Sequence, residues 1–130
     1  MTGLKAVEDI ALYLSRKMTV KVYKFEKTLS NKGAYIVVNH LPFTFGRQVH
    51  EDVLNVNLHS PKLKTGGADV KSLARMLDDI DGLLPYEIDE EDDEMLEIDG
   101  AYYAITSVSQ PMEDNDNTYF INIKVKVISK

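Results

Sequence analysis

The sequence predicts an α+β fold: a mostly antiparallel sheet of about five to six strands with two helices packed on it, in the order α-β-β-β-α-β-β-β. Segments 52–59 and 119–128 alternate apolar and polar residues, which is the pattern of a strand with one dry and one wet face. Segments 4–17 and 69–84 repeat apolar residues every three or four positions, as a helix does when it lays one stripe on a sheet. The helices are far apart in the chain and short loops join most strands, so the pattern favours α+β over alternating α/β.

The first half of the chain contains the first predicted helix and two predicted strands. Thr2 is a candidate N-cap for the helix, which runs to residue 17. The strand predicted over 19–26 changes its apolar face midway, which indicates a bulge or burial on both sides. After a turn at 29–33, a run of apolar residues predicts a central strand over 34–41. The apolar stripe of the helix consists of Leu4, Val7, Ile10, Ala11 and Leu14.

The middle of the chain joins a strand, a loop and a helix without a break. The strand, 52–59, leads into a turn-rich loop over 61–68. Asp69 then opens the second helix, and Pro85 stops it. The apolar stripe predicted for this helix consists of Val70, Leu73, Leu77, Ile80 and Leu84.

The last part of the chain is predicted to form a hairpin and a final strand. The hairpin covers 95–109, and the dipeptide Asp99-Gly100 is a signal for a type I′ turn. A polar loop over 113–117 separates it from the strand 119–128. One face of that strand is apolar (Tyr119, Ile121, Ile123, Val125, Val127), and the other is polar (Asn122, Lys124, Lys126).

Length and composition are those of a single globular domain over residues 1–130. The longest apolar run is too short to span a membrane, and the N-terminus lacks a secretory signal, so a cytoplasmic origin is expected. The chain contains no cysteine. Disulfides, thiolate nucleophiles and cysteine-based metal sites are therefore absent.

Charge is divided unevenly along the chain, whose formal net charge is −6. Residues 1–64 hold ten Lys and Arg against five Asp and Glu, whereas residues 65–130 hold five against sixteen. Such a split helps like subunits to meet head to tail, unless the two halves intermix in the fold and their charges average out. Both interpretations stay open at this level. A sequence pI near 5.0 argues against duplex DNA as the main partner.

No pattern of residues indicates catalysis, and we predict no catalytic, cofactor-binding or metal-binding residues. The three histidines lack the spacing of a metal-binding helix, and no Gly-x-Ser-x-Gly elbow occurs. The Gly-rich loop before Asp69 lacks a Gly-Lys-Ser/Thr sequence, and the Asp69 carboxylate would repel a phosphate. The sequence around Asp79 and Asp81 lacks the ligand spacing of a calcium loop.

Three groups of residues are candidates for contacts with subunits or partners. Phe43 and Phe45 lie beside Arg47, a combination typical of interface anchors, although both rings would fit equally well in the core. The polar strand face of Asn55, Asn57 and His59 is either a solvated face or a subunit surface, with a structural role favoured for His59. Lys62 and Lys64 lie in the loop that follows this strand.

An acidic connector follows the second helix and contains six consecutive carboxylates: Asp89, Glu90, Glu91, Asp92, Asp93 and Glu94. Three more, at Asp78, Asp79 and Asp81, lie at the helix C-terminus, where the macrodipole disfavours negative charge. Three explanations remain open: a solvated loop, a surface that repels passing nucleic acid, and a cation site.

The chain resembles the tail terminator proteins of long-tailed bacteriophages, also called tail-completion or minor tail proteins. The resemblance covers nearly the whole chain in element order. Its sharpest parts are the strand Leu54-Asn55-Val56-Asn57-Leu58, the loop and helix start at 61–69, and the final strand Tyr119-Phe120-Ile121-Asn122-Ile123-Lys124-Val125. The long acidic insertion after Leu84 departs from the family pattern.

The resemblance implies a structural virion protein without enzymatic activity or cofactor. Such proteins form a ring, commonly a hexamer, on the head-proximal end of the tail tube, stop tube growth and join the tail to the head. The implied partners are further copies of the chain, the tail tube protein and head-tail connector proteins. DNA passes through such a ring without specific binding, and the run 89–94 is a candidate for an acidic lumen.

Three alternatives stay open from the sequence. One is another head-tail connector or head-completion (stopper) ring protein. The second is a small metal-dependent nuclease of a mobile element. The third is a cellular α+β interaction domain without a viral link.

Overall fold

Two helices lie on one mixed sheet of seven strands in the computed structural model, which describes residues 3–27, 33–40, 51–86, 96–115 and 117–129. The predicted α+β class and the order of the helices and main strands are confirmed. In chain order the elements are α1 (Gly3–Lys17), β1 (Lys21–Lys24), β2 (Tyr35–His40), β3 (Glu51–Pro61), α2 (Val70–Asp81), β4 (Leu96–Ile98), β5 (Ala101–Val108), β6 (Met112–Asp114) and β7 (Thr118–Ser129).

The sheet has the strand order β1-β2-β3-β7-β5-β4, and the short strand β6 pairs with the beginning of β7. All of the described pairings are antiparallel except β1 with β2, which is parallel. Two features differ from the sequence prediction. The first is the parallel pairing of β1, since a pattern of apolar residues does not reveal the direction of a strand. The second is the strand β6, which is too short and polar to be distinguished from the loop predicted over 113–117. Both sheet edges are short, since β1 has four residues and β4 has three.

The core lies between the two helices and one face of the sheet. β3 and β7 supply alternate residues to it, and β2 is buried on both faces over 35–38, as predicted for a central strand. α1 contacts β1, β2 and β3, and α2 contacts β3. On α1 the predicted stripe is wrong at Leu4, whose side chain is 57% exposed, because the buried stripe starts two residues later. The side chains that α1 buries are Ala6, Val7, Ile10, Ala11 and Leu14.

Helix α2 begins as predicted but ends earlier. Asp69 is its N-cap, and its carboxylate accepts a hydrogen bond of 3.1 Å from the backbone N–H of Ser72. The helix ends at Asp81, three residues before the predicted end. Its buried stripe is Leu73, Met76 and Ile80, at the spacing i, i+3, i+7, so the predicted stripe is wrong at Val70, which is exposed, and omits Met76.

The hairpin of β4 and β5 turns at Asp99 and Gly100, as predicted. Both residues have positive φ, +48° and +83°, which the type I′ turn requires. The Lys5 ammonium on α1 forms ion pairs with the carboxylates of Asp9 and Asp99. The hydrogen bond from Lys5 lowers the pKa of Asp99. These contacts tie the first helix to the hairpin turn, although their exposure to solvent leaves them weak.

Tyr103, like Tyr35, is one of the largest fully buried side chains of the described structure. Its side chain is fully buried, and its hydroxyl has no hydrogen-bond partner among the described residues. Burial raises the pKa of this hydroxyl above its ordinary value of 10.0, and the negative charge of Asp9 adds to the effect. A buried hydroxyl without a partner is a cost to the folded state.

Replacing Ile80 by Ala should lower the free energy of unfolding by about 2–5 kcal/mol, because a fully buried side chain leaves a cavity in the core. The matched control is Val70→Ala on the same helix, where the side chain is 62% exposed and the change should stay within about 0.5 kcal/mol. Urea unfolding followed by circular dichroism measures both values. Equal losses in the two variants would show that α2 does not pack as described.

Tyr103→Phe should leave stability at neutral pH unchanged or slightly higher, because it removes a hydroxyl that has no partner. The folded state raises the Tyr103 pKa, so it retains this proton more tightly than the unfolded chain does. The resulting contribution to stability is present below about pH 10 and is lost as pH rises toward the higher folded pKa. The variant should therefore lose less stability than the wild type across this alkaline range in urea titrations. Identical slopes would contradict the prediction.

Candidate functional site

The side of the sheet opposite α1 and α2 carries the candidate site, and we call it the helix-free face because no helix of the described residues lies on it. Strand alternation and register place its residues, because neighbours across the strands share a face. Its centre combines amide, aromatic and lysine side chains with one valine. They are Lys21 and Tyr23 on β1, Tyr35, Val37 and Asn39 on β2, Asn55, Asn57 and His59 on β3, and Phe120, Asn122, Lys124 and Lys126 on β7.

Four asparagines on three strands form a connected hydrogen-bond network. The Asn122 amide donates to the side-chain oxygens of Asn55 and Asn57 at 3.1 and 2.8 Å. The Asn55 amide donates in turn to the Asn39 oxygen at 2.9 Å. The Lys124 ammonium donates to the Asn55 oxygen at 3.0 Å, so that oxygen accepts twice. These bonds hold four half-buried polar side chains and one lysine in fixed positions before any partner binds.

The network also fixes which polar groups point away from it. The side-chain oxygens of Asn39, Asn55 and Asn57 all accept bonds within it. The NH₂ groups of Asn39 and Asn57 make no hydrogen bond to other described residues, so they remain available as donors. Together with the lysines, they give the face an excess of donors. Such a surface suits carboxylates and carbonyl oxygens.

Beside the network, three rings stack across β2, β3 and β7. The His59 imidazole lies between Tyr35, with ring centroids 4.7 Å apart, and Phe120, at 5.1 Å, and both pairs are nearly parallel. Its Nδ1 lies 3.1 Å from the Thr118 hydroxyl and 3.6 Å from an Asp114 carboxylate oxygen. His59 is only 7% exposed. The imidazole therefore has a fixed orientation within the face.

A cavity of about 300 Å³ opens where the rings meet the amides. Asn39 and Asn57 from the network line it together with His59, Lys27 and Asp114. The Lys27 ammonium lies 4.9 Å from the centre of the Tyr35 ring, within cation–π range. A ligand in this cavity would meet hydrogen-bond donors, the Lys27 ammonium and the Asp114 carboxylate.

The structure describes five of the predicted interface residues, and they lie in different surroundings. Asn55 and Asn57 lie on the helix-free face, where they belong to the network, and His59 lies on the same face but is buried in the ring stack. Lys62, just beyond β3, forms an ion pair with Glu113, and Lys64 is exposed in the following loop. Phe43, Phe45 and Arg47 and the acidic run 89–94 lie outside the described residues, as does the N-cap candidate Thr2.

Sequence reasoning did not identify Asn39, Tyr35, Phe120 or Lys27 as part of this face. Asn39 follows a run of four buried residues, so its role depends on the register that places it opposite Asn55. Tyr35 and Phe120 meet His59 only because their strands flank β3. Asn122 and Lys124 had a signal, since the alternation of β7 predicts their exposure on one face.

No family model, curated protein or solved structure matches this chain. No helix in the described part of the chain is long and apolar enough to cross a membrane. Within the same ranges, no group of three or more His, Cys, Asp or Glu side chains is arranged to hold a metal ion.

Asn122→Ala should destabilise the fold by about 1–3 kcal/mol, because the Asn57 oxygen loses its donor and the Asn55 oxygen loses one of its two. In a double-mutant cycle with Asn57→Ala, the two losses should not add, and the coupling should exceed about 0.5 kcal/mol. Urea unfolding of the four proteins measures the coupling, with Ser107→Ala, an exposed position on β5, as the control. Additive losses would show that the amides do not form one network.

Proposed function

We propose that this chain is a tail terminator of a long-tailed bacteriophage. Copies of it form a ring on the end of the tail tube, stop tube growth and join the tail to the head. The proposal rests on the resemblance in the segments around β3, the start of α2 and β7. The observed order of elements is compatible with it, because the resemblance implies that order over nearly the whole chain.

The helix-free face is the observation that supports an assembly role most directly. Its partly exposed residues lie on three neighbouring strands, β2, β3 and β7, which corresponds to about 10 Å across the strands, because Tyr23, Tyr35 and Val37 on the same face are buried. Its amides are held in fixed positions, so these side chains lose little conformational entropy when a partner binds. A broad, polar, pre-ordered surface suits another protein better than it suits a small molecule, which needs an enclosed and mostly apolar pocket.

A ring requires two different surfaces on each subunit, because head-to-tail contacts join unlike patches. The helix-free face supplies one of them. The predicted interface residues Lys62 and Lys64 lie in the loop that follows β3, one of the strands of this face. Another connector or stopper ring would use such a surface equally well. The terminator binds the tail tube and stops its growth, so an effect on tube growth separates it from the stopper.

Negative-stain electron microscopy of the purified protein should show closed rings of uniform diameter, with six-fold symmetry as the resemblance implies. Native mass spectrometry should give one species at an integer multiple of the 14.7 kDa subunit. Added to growing tail tubes of the phage that encodes it, the protein should cap the tubes and halt their elongation. Rings that leave tube growth unchanged would favour the stopper alternative. A protein that stays monomeric at every concentration, and also in the presence of tubes, would contradict the proposal.

A further inference from the structure

Positive charge collects on the helix-free face although the chain as a whole is acidic. Lys21, Lys27, Lys124 and Lys126 lie on this face or at its margin. Among side chains that the structure describes, alternation places two carboxylates there: Asp114 on β6 and Glu97 at the β4 edge. Lys21 and Lys124 form no ion pair within the described residues. With a net charge of −6 for the chain, the rest of the surface is correspondingly more negative.

The last turn of α2 is a compact acidic patch. Asp78, Asp79 and Asp81 are all exposed there, and Asp78 and Asp79 pair with no cation among the described residues. The basic residues of the helix, Lys71 and Arg75, lie in its first two turns. Negative charge at a helix C-terminus adds to the negative end of the macrodipole, so a cation that approaches this turn is stabilising.

The two patches lie on opposite sides of the sheet. α2 packs its buried stripe into the core, on the same side of β3 as Leu54, Val56 and Leu58. Lys124 bonds to Asn55, which points to the other side of β3. One molecule therefore cannot bring its own acidic turn to its own lysines. A second copy can, and the resulting contact joins unlike surfaces, so it repeats head to tail.

The spacing of the charges agrees with such a contact. Lys124 and Lys126 are two residues apart on one strand, about 7 Å along the same face. Asp78 and Asp81 are three residues apart on a helix, with Cβ atoms about 5–6 Å apart. Lys124 is already held by the Asn55 side chain, so little of its freedom remains to be lost on binding.

We propose that the acidic last turn of α2 in one copy docks on Lys124 and Lys126 of the helix-free face of the next copy. This contact specifies the second surface of the head-to-tail ring and rests on the proposed function. The neighbouring amides of Asn39 and Asn57 donate to carbonyl or carboxylate oxygens at the end of the docked helix.

A charge swap tests the pairing. The face variant carries Lys124→Glu and Lys126→Glu, and the helix variant carries Asp78→Lys and Asp81→Lys, the two carboxylates whose spacing matches that of the lysines. Each variant alone places like charges at the contact, so its self-association should weaken by about tenfold or more. High salt should weaken the self-association of the wild type, because it screens the attraction between the two patches. In an equimolar mixture every contact again joins opposite charges, and assemblies with alternating subunits should form. Arg16→Glu with Lys17→Glu changes the net charge as the face variant does, at exposed positions on α1, and should assemble as the wild type does.

Native mass spectrometry and negative-stain microscopy distinguish the outcomes, with circular dichroism to show that each variant is folded. Rings that form from both variants alone would overturn the docking proposal and leave the ring function standing. A mixture that does not assemble, beside a wild type that does, would also overturn it. A wild type that never self-associates would contradict both proposals.

Crosslinking gives a second readout that does not require closed rings. The chain contains no cysteine, so Lys124→Cys and Asp79→Cys in one chain introduce the only two thiols. A short bismaleimide should join them between copies and give a ladder of covalent oligomers on a denaturing gel. The control pair Lys17→Cys with Asp79→Cys should give mainly monomer. Ladders of equal intensity from both pairs would overturn the proposed contact.

Discussion

The antiparallel ladder between β3 and β7 is the constraint on which the rest of the structure depends. Its register runs through eleven residue pairs, from Glu51 opposite Ile128 to Pro61 opposite Thr118. In every pair, the two side chains lie on the same face of the sheet. A slip of one residue would exchange the core residues with the polar network and the ring stack, so burial of the apolar set fixes the polar face as well. The helices, the hairpin and the lysines all take their positions from this ladder.

Local patterns predicted the elements whose chemistry is itself local. β7 alternates strictly, Asp69 is a suitable N-cap, and Asp99 with Gly100 tolerates the positive φ of the hairpin turn, so these features were visible in the sequence. The parallel pairing of β1 and the short strand β6 depend on contacts distant in sequence. The buried stripe of α2 shifted to include Met76 because the sheet, and not the helix alone, decides which side of the helix is covered.

The candidate site was only partly predictable for the same reason. Asn55 and Asn57 lie on a strand whose wet face could be read from alternation, but the function of a wet face depends on its neighbours. Asn39 and Asn122 complete the network from two different strands, and Tyr35 and Phe120 enclose His59 from the same two strands. His59 continues the wet face that alternation predicts for its strand, and the register of the two flanking strands buries it there. The sheet is thus divided chemically into an apolar side and a donor-rich side, and this division depends on the register of strands that are distant in sequence.

The short strands at the two borders of the sheet affect how this protein behaves at high concentration. An outermost strand normally exposes unpaired N–H and C=O groups that invite another chain to continue the sheet. Here β1 offers four residues with a lysine at each end, and it stops where Phe25 adopts a positive φ of 68°. β4 offers three residues. Fibrous growth through backbone pairing is therefore disfavoured at both borders, so any association between copies at high concentration has to rely on side-chain contacts, which can be both selective and reversible.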